Sequence, residues 1–105
     1  PQGQVQVLTN MIDFGMNVHE AGAAARIEHV GSATPTGLPM DPLGGKIQVE
    51  AGISSKVQQD LQARGHVLQP VAVNSGGYQG IRIDHDRGVL MGGSEPRKDG
   101  MAVGY

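Results

Sequence analysis

The chain has 105 residues, a formal net charge of −2, 17 glycines, no cysteine and few aromatic side chains: one Phe, two Tyr and no Trp. That length supports one domain and not two. It carries no basic stripe for nucleic acid, no run near the about 20 apolar residues of a membrane span, and no means of forming a disulfide. A glycine-rich chain with so little aromatic surface to bury is expected to be marginal alone and to pack against something else.

In chain order, residues 4–14 predict a helix. Val5, Leu8 and Ile12, with Met11 beside them, recur at helical spacing as one apolar face. Gly15 is placed to end it in the left-handed region. Asn17 with Glu20 three places on has the form of a capping box, opening a second helix from Val18 to Ala25. Arg26–Val30 alternates as a short strand. Residues 31–45 hold Pro35, Pro39 and Pro42 among Gly, Ser and Thr and predict a surface loop. Lys46–Glu50 is the clearest half-buried strand. Ser54 or Ser55 caps a third helix to about Arg64, with Val57 and Leu61 on its buried face, Ile53 as a hydrophobic staple and Gly65 as its stop.

Val67–Val73 predicts a strand whose Pro70 marks an edge or an irregularity. After a turn at Asn74-Ser75-Gly76-Gly77, Tyr78–Asp84 is a strand with Ile81 and Ile83 on one face. His85–Gly88 is a hairpin loop, Val89–Met91 returns antiparallel, and residues 92–105 form an irregular tail. The fold class is α+β, with three short helices and a small, partly antiparallel sheet.

No residue here is expected to do chemistry. Asp84-His85-Asp86 are neighbours on a tight turn and do not converge as metal ligands, which need three or four donors at fixed geometry. Gly44-Gly45-Lys46 lacks the spacing of a phosphate loop. Glu20 serves as a cap, while Glu28 and Glu50 are expected on solvent-facing strand positions. His19, His29 and His66 stand apart with no nucleophile beside them, and no Ser occupies a nucleophile elbow. The expected catalytic, substrate-binding, metal and cofactor sets are therefore empty.

Four stretches nevertheless carry a resemblance. Val7-Leu8-Thr9-Asn10-Met11-Ile12-Asp13-Phe14-Gly15-Met16-Asn17-Val18-His19-Glu20-Ala21 is similar to the "N-x-I-D-x-G-(M/L)-(D/N)-(V/I)-x-E-A" stretch of the γ-glutamyltransferase small subunit. Gly52-Ile53-Ser54, then Arg64-Gly65-His66, fit that family's "G-(L/F)-S-P… E-A-(M/K)-G-H". Gly76-Gly77-Tyr78-Gln79-Gly80-Ile81 resembles "G-S-x-Q-(S/A)-I". The end, Gly92-Gly93-Ser94-Glu95-Pro96-Arg97, Asp99-Gly100 and Ala102-Val103-Gly104-Tyr105, resembles "G-A-S-D-P-R…D-G-A-A-V-G-Y". The match runs through nearly the whole chain in the family's order.

The resemblance implies an N-terminal-nucleophile (Ntn) hydrolase with a four-layer αββα sandwich, of which residues 1–105 would be one segment, the C-terminal portion of the small subunit. It implies a parent enzyme whose self-cleavage frees a Thr. That Thr attacks the γ-glutamyl amide of glutathione-type substrates, and water or an acceptor amino acid resolves the γ-glutamyl enzyme. The Thr, the substrate clamp and the "S-P-G-G" oxyanion segment would all lie before Pro1, so the isolated chain is expected to be inactive. Its start, Pro1-Gln2-Gly3-Gln4, is not that of a signal peptide and is expected to fall inside a longer reading frame. Expected partners are the rest of the small subunit and the large subunit, with possible self-association; family habit implies a secreted or periplasmic parent.

The resemblance singles out Arg26, aligned with the Arg of "D/N-A-P-R", and Arg97 with Glu95, aligned with "S-D-P-R". They are expected as structural anchors that hold the tail through planar salt bridges and support precursor maturation. Here Ala25 replaces the Pro, Ala23 the acidic or amide residue, and Glu95 the usual Asp.

Overall fold

The computed structural model describes residues 1–32, 37, 41–42, 44–73 and 76–104. Much of the expected 31–45 loop, including Pro35 and Pro39, and the Asn74-Ser75 part of the next turn lie outside the described residues. The element order is α1 (Gln2–Ile12), α2 (Val18–Ala23), β1 (Ile27–Val30), β2 (Lys46–Glu50), α3 (Ser55–Ala63), β3 (Leu68–Val71), β4 (Gln79–Asp84) and β5 (Val89–Ser94). The chain divides into two compact units, one of Gly3–Ala24 with Gly76–Tyr105, the other Ala25–Ser75.

In the first unit, α1 ends as expected, with Gly15 at φ +66°. The expected capping box of α2 is present. Asn17 Oδ1 accepts from the His19 and Glu20 N–H groups, and the Glu20 carboxylate accepts from the Asn17 N–H at 3.0 Å. The helix stops at Ala23, two residues earlier than predicted, because its last carbonyls are taken by a side chain from the tail, described below.

α2 lies on the antiparallel β4–β5 hairpin. Gly80 pairs with Gly93 in the ladder, and a side chain at 93 would stand only 2.8 Å from the Val18 carbonyl oxygen. The Tyr78 ring fills the space left by two other missing side chains: a Cβ at Gly22 or at Gly80 would run into it. β5 continues to Ser94, where the sequence predicted irregular tail. Gly92 and Gly93 have poor strand propensity, but a Cβ at 93 would meet α2 and one at 92 would meet Ala102. In the tail itself, Gly100 sits against Gln79 and Ser94, and Ala102 against Gly92.

In the second unit, β2 pairs antiparallel with β1 and parallel with β3, in the order β1-β2-β3. The parallel step needs a crossover, which α3 supplies. Pro70 lies on the edge strand, where its missing N–H is tolerated. Val49, between Ile27 and Pro70, is 1% exposed. Ser54 Oγ caps α3 through the Val57 N–H at 3.3 Å. The far end closes as a Schellman motif: Gly65, at φ +94°, donates to Gln62 O and His66 donates to Leu61 O. The predicted staple does not form, because the position one turn in is Gln58, whose side-chain amide instead donates to Ile53 O at 2.7 Å.

The apolar faces of α1 and β4 are largely exposed, and of the expected buried face of α3, Val57 needs a correction. Val5, Leu8 and Ile12 of α1 are 61%, 54% and 76% exposed, and α1 buries Val7 instead. Val57 of α3 and Ile81 and Ile83 of β4 are also exposed. The periodicity marked the apolar stripe of each element, but nothing among the described residues covers these stripes. Ile81, Leu90, Met101 and Val103 line an open cleft of about 860 Å³ between the hairpin and the tail. No described helix is long and apolar enough to cross a membrane.

Candidate functional site

The buried interior of this protein is as much charge as hydrocarbon. Among the described residues, Val7, Val18, Ala21 and Val49 form the buried apolar set, while Arg26, Glu50 and Glu95 are the buried charged residues. A buried charge is costly unless paired and hydrogen-bonded, so these groups mark where the fold commits its specific geometry.

The larger cluster is in the first unit. A six-residue helix leaves its last carbonyls without intrahelical donors. Arg97 supplies donors from 73 and 75 positions away: Nη2 donates to Ala24 O at 2.8 Å and Nη1 to Gly22 O at 3.1 Å. Nη1 also donates to Glu95 Oε2 at 2.9 Å, with the two side chains 6% and 0% exposed. The guanidinium thus closes the C-terminal end of α2, where the helix dipole favours a cation, and neutralises a carboxylate that water does not reach. Pro96, between the two residues, lacks an N–H and restricts the connecting turn. The Glu95 N–H donates to Tyr78 O at 3.3 Å, which ties the same segment to the entry of β4.

The second cluster belongs to the other unit. Glu50 Oε2 accepts the Arg26 main-chain N–H at 2.8 Å, and the Glu50 N–H donates to Arg26 O at 3.2 Å. The structure therefore brings Arg97 and Glu95 together and places Arg26 with Glu50. Glu50 was expected on a solvent face and is buried, 5% exposed. The alternation of Lys46–Glu50 correctly set it opposite Val49. What alternation does not carry is that Arg26, one step beyond the Ile27–Val49 pair, aims its main-chain N–H at that carboxylate.

The remaining polar candidates have structural occupations. Asp84 Oδ1 accepts from the Asp86 and Arg87 N–H groups, an Asx turn that closes the hairpin. Glu20 is committed to its cap. His29 Nε2 contacts Gly44 O at 3.0 Å, and His19 and His66 are exposed. Among the described residues no group of three or more His, Asp or Glu could hold a metal ion.

The family model described as gamma-glutamyltranspeptidase matches residues 1–105. The glutathione hydrolase proenzyme of Escherichia coli K12 is 35% identical over 96% of this chain, and that of Pseudomonas aeruginosa 33% identical over 93%. The chain spans only 15% and 16% of the lengths of those curated relatives. Among solved structures, a cephalosporin acylase from Bacillus halodurans superimposes with a TM-score of 0.79 at 38% identity, covering 96% of this chain and 17% of the acylase. A gamma-glutamyltranspeptidase from Pseudomonas nitroreducens gives 0.74 at 30%, covering 98% and 48%. A third, an acivicin-inhibited gamma-glutamyltranspeptidase described as revealing critical roles for its C-terminus in autoprocessing and catalysis, gives 0.71 at 27%, covering 93% and 47%.

Proposed function

The chain belongs to the gamma-glutamyltranspeptidase family, and from that premise we propose that residues 1–105 are the C-terminal portion of the small subunit of a gamma-glutamyltransferase or glutathione hydrolase. The segment supports an active site built by other residues. In the parent, an N-terminal Thr transfers the γ-glutamyl group of glutathione-type substrates to water or to an acceptor amino acid. The helices here cover an outer face of an Ntn-hydrolase sheet and buttress the oxyanion segment that precedes Pro1. The partners are the rest of the small subunit and the large subunit, and the parent is periplasmic or secreted.

The observation that carries this reading is the Arg97 fork, which fastens the Glu95–Arg97 segment to the end of α2 with both side chains out of water. Arg97 and Glu95 are then structural anchors that fix the tail for precursor maturation, and Arg26 with Glu50 anchors the sheet. The roles described for the C-terminus of the acivicin-inhibited relative support the same reading. The exposed stripes of α1, α3 and β4 are the surfaces through which the chain meets its partner segments or, when isolated, self-associates.

The test is the reading frame upstream of Pro1. An activated-Thr segment followed by Ser-Pro-Gly-Gly directly before Pro1 is expected, and a start codon immediately before Pro1 would overturn the proposal in favour of a free-standing scaffold module. The purified 105-residue chain is also expected to leave a chromogenic γ-glutamyl anilide unhydrolysed. A second reading, an acylase of the same architecture, is favoured by the 38% identity to the Bacillus halodurans enzyme. Turnover of a cephalosporin in preference to the anilide by the full gene product would select it.

A further inference from the structure

Independently of that activity, we infer that Asp99–Gly100 is a site of spontaneous backbone rearrangement, where the chain forms a succinimide and then an isoaspartyl linkage that releases the tail. The reaction needs an aspartyl side chain free to turn back on the main chain, a following amide nitrogen free to attack, and no Cβ on that following residue to obstruct the ring. Asp99 is exposed, outside any helix or strand, and its carboxylate makes no hydrogen bond or ion pair with a described residue. The Gly100 N–H likewise donates to no described residue.

The other five aspartates each fail one condition. Asp41 precedes Pro42, which has no N–H. Asp60 lies in α3 and pairs with Lys56 at 2.9 Å. Asp84 accepts two main-chain bonds, and the amide after Asp86, that of Arg87, is one of the two donors. Asp13 is followed by the bulky Phe14. Of the asparagines, Asn10 lies inside α1, Asn17 is held in the capping box, and Asn74 is outside the described residues.

In the step itself, the Gly100 nitrogen gives its proton to solvent and bonds to Asp99 Cγ, and the carboxyl oxygen leaves as water. Water then adds back to the imide. Opening on the main-chain carbonyl side leaves the chain running through the side-chain carbonyl, with one extra methylene in the backbone and no net change in mass. That methylene displaces Gly100 along the chain from the place where it fits. Gly100 occupies a slot in which even an added Cβ would stand 2.8 Å from Ser94 Oγ and collide with the Gln79 amide, and Ala102 beyond it packs on Gly92. The rearranged chain therefore lifts residues 100–104 off the hairpin and leaves the Arg97 fork in place.

The intact protein is incubated near neutral pH at body temperature, digested, and the peptides are sequenced by electron-transfer fragmentation, which separates β- from α-linked aspartate. Isoaspartate is expected to accumulate at residue 99 severalfold ahead of every other aspartate, with a transient species one water lighter. Asp99→Glu, whose ring would be six-membered, should abolish it, and Asp99→Asn should accelerate it by losing ammonia instead of water. Protease cleavage within the released residues 101–104 should rise in step. Equal or faster accumulation at Asp13 or Asp86 overturns the proposal. So does a rate at residue 99 in the folded chain severalfold below that in urea, since the fold would then be shielding the site.

Discussion

Both units of the molecule bury a carboxylate beside an arginine, but they use the arginine differently. In the α2–hairpin unit the work is done by the guanidinium, which reaches Glu95 and two helix-end carbonyls at once. In the three-stranded unit, Glu50 takes a main-chain N–H that almost any residue at position 26 would offer. The first arrangement works through the guanidinium of residue 97; in the second, the carboxylate at 50 also grips the main chain at 26. Residues that look equivalent in sequence, two arginines each in a short recognisable motif, therefore carry different burdens.

The largest expected effect separates these cases. Arg97→Ala leaves the Glu95 carboxylate buried without its cation and strands the Gly22 and Ala24 carbonyls, a loss of about 3–5 kcal/mol. In a domain of this size that removes a large part of the stability. Glu50→Gln keeps an oxygen that can accept the Arg26 N–H and should cost less than Arg97→Ala. Urea unfolding of the two variants decides the matter, and equal midpoints would erase the proposed distinction. Replacing Arg97 and Glu95 together by Met and Leu should recover much of the loss, since a matched apolar pair leaves no orphan charge.

A smaller effect tests the packing around that fork. Gly22→Ala would thrust a methyl group into the Tyr78 ring, which Gly80 hems in from the other side. Helix propensity alone favours alanine by about 1 kcal/mol, so a net loss of about 1–3 kcal/mol would show that the clash outweighs it. Tyr78→Leu in the Gly22→Ala background should restore part of the loss. A stabilised Gly22→Ala variant would mean that the ring simply moves aside.

How much of this was legible beforehand follows from the range of each interaction. The Asn17–Glu20 box, the Ser54 cap, the Gly15 and Gly65 stops and the β4–β5 hairpin depend on residues a few positions apart, and sequence spacing revealed them. The Arg97 fork joins residues more than 70 positions apart. Only the family resemblance singled out Arg97, and nothing local named the α2 carbonyls as its acceptors. The burial of Glu50 was missed because alternation assigns a face without saying what lies over it. The stripes of Val5, Leu8 and Ile12 and of Ile81 and Ile83 were read correctly as apolar faces, and only Val57 was read wrongly as buried. A periodic pattern records that an element was built for a partner surface, not that the surface lies within these residues.

The smallest expected effect returns to the two units through their helix caps. Asn17 accepts two N–H groups and is answered by Glu20, whereas Ser54 accepts one at 3.3 Å. Asn17→Ala should therefore cost about 1–2 kcal/mol and Ser54→Ala about 0.5 kcal/mol. The contrast is deeper than a count of bonds. α3 closes its far end with its own backbone, so losing Ser54 loosens one turn. α2 has only six residues, well short of the about 12–15 at which an isolated helix is even marginal, and side chains hold both its ends. Once Arg97 is removed, the helix that Asn17 caps is already compromised. Asn17→Ala should then cost clearly less in the Arg97→Ala background than alone, and Ser54→Ala should cost the same in both. Strict additivity at Asn17, measured in a double-mutant cycle, would show that the two ends of α2 are stabilised separately and that the arginine fork does not hold the helix together.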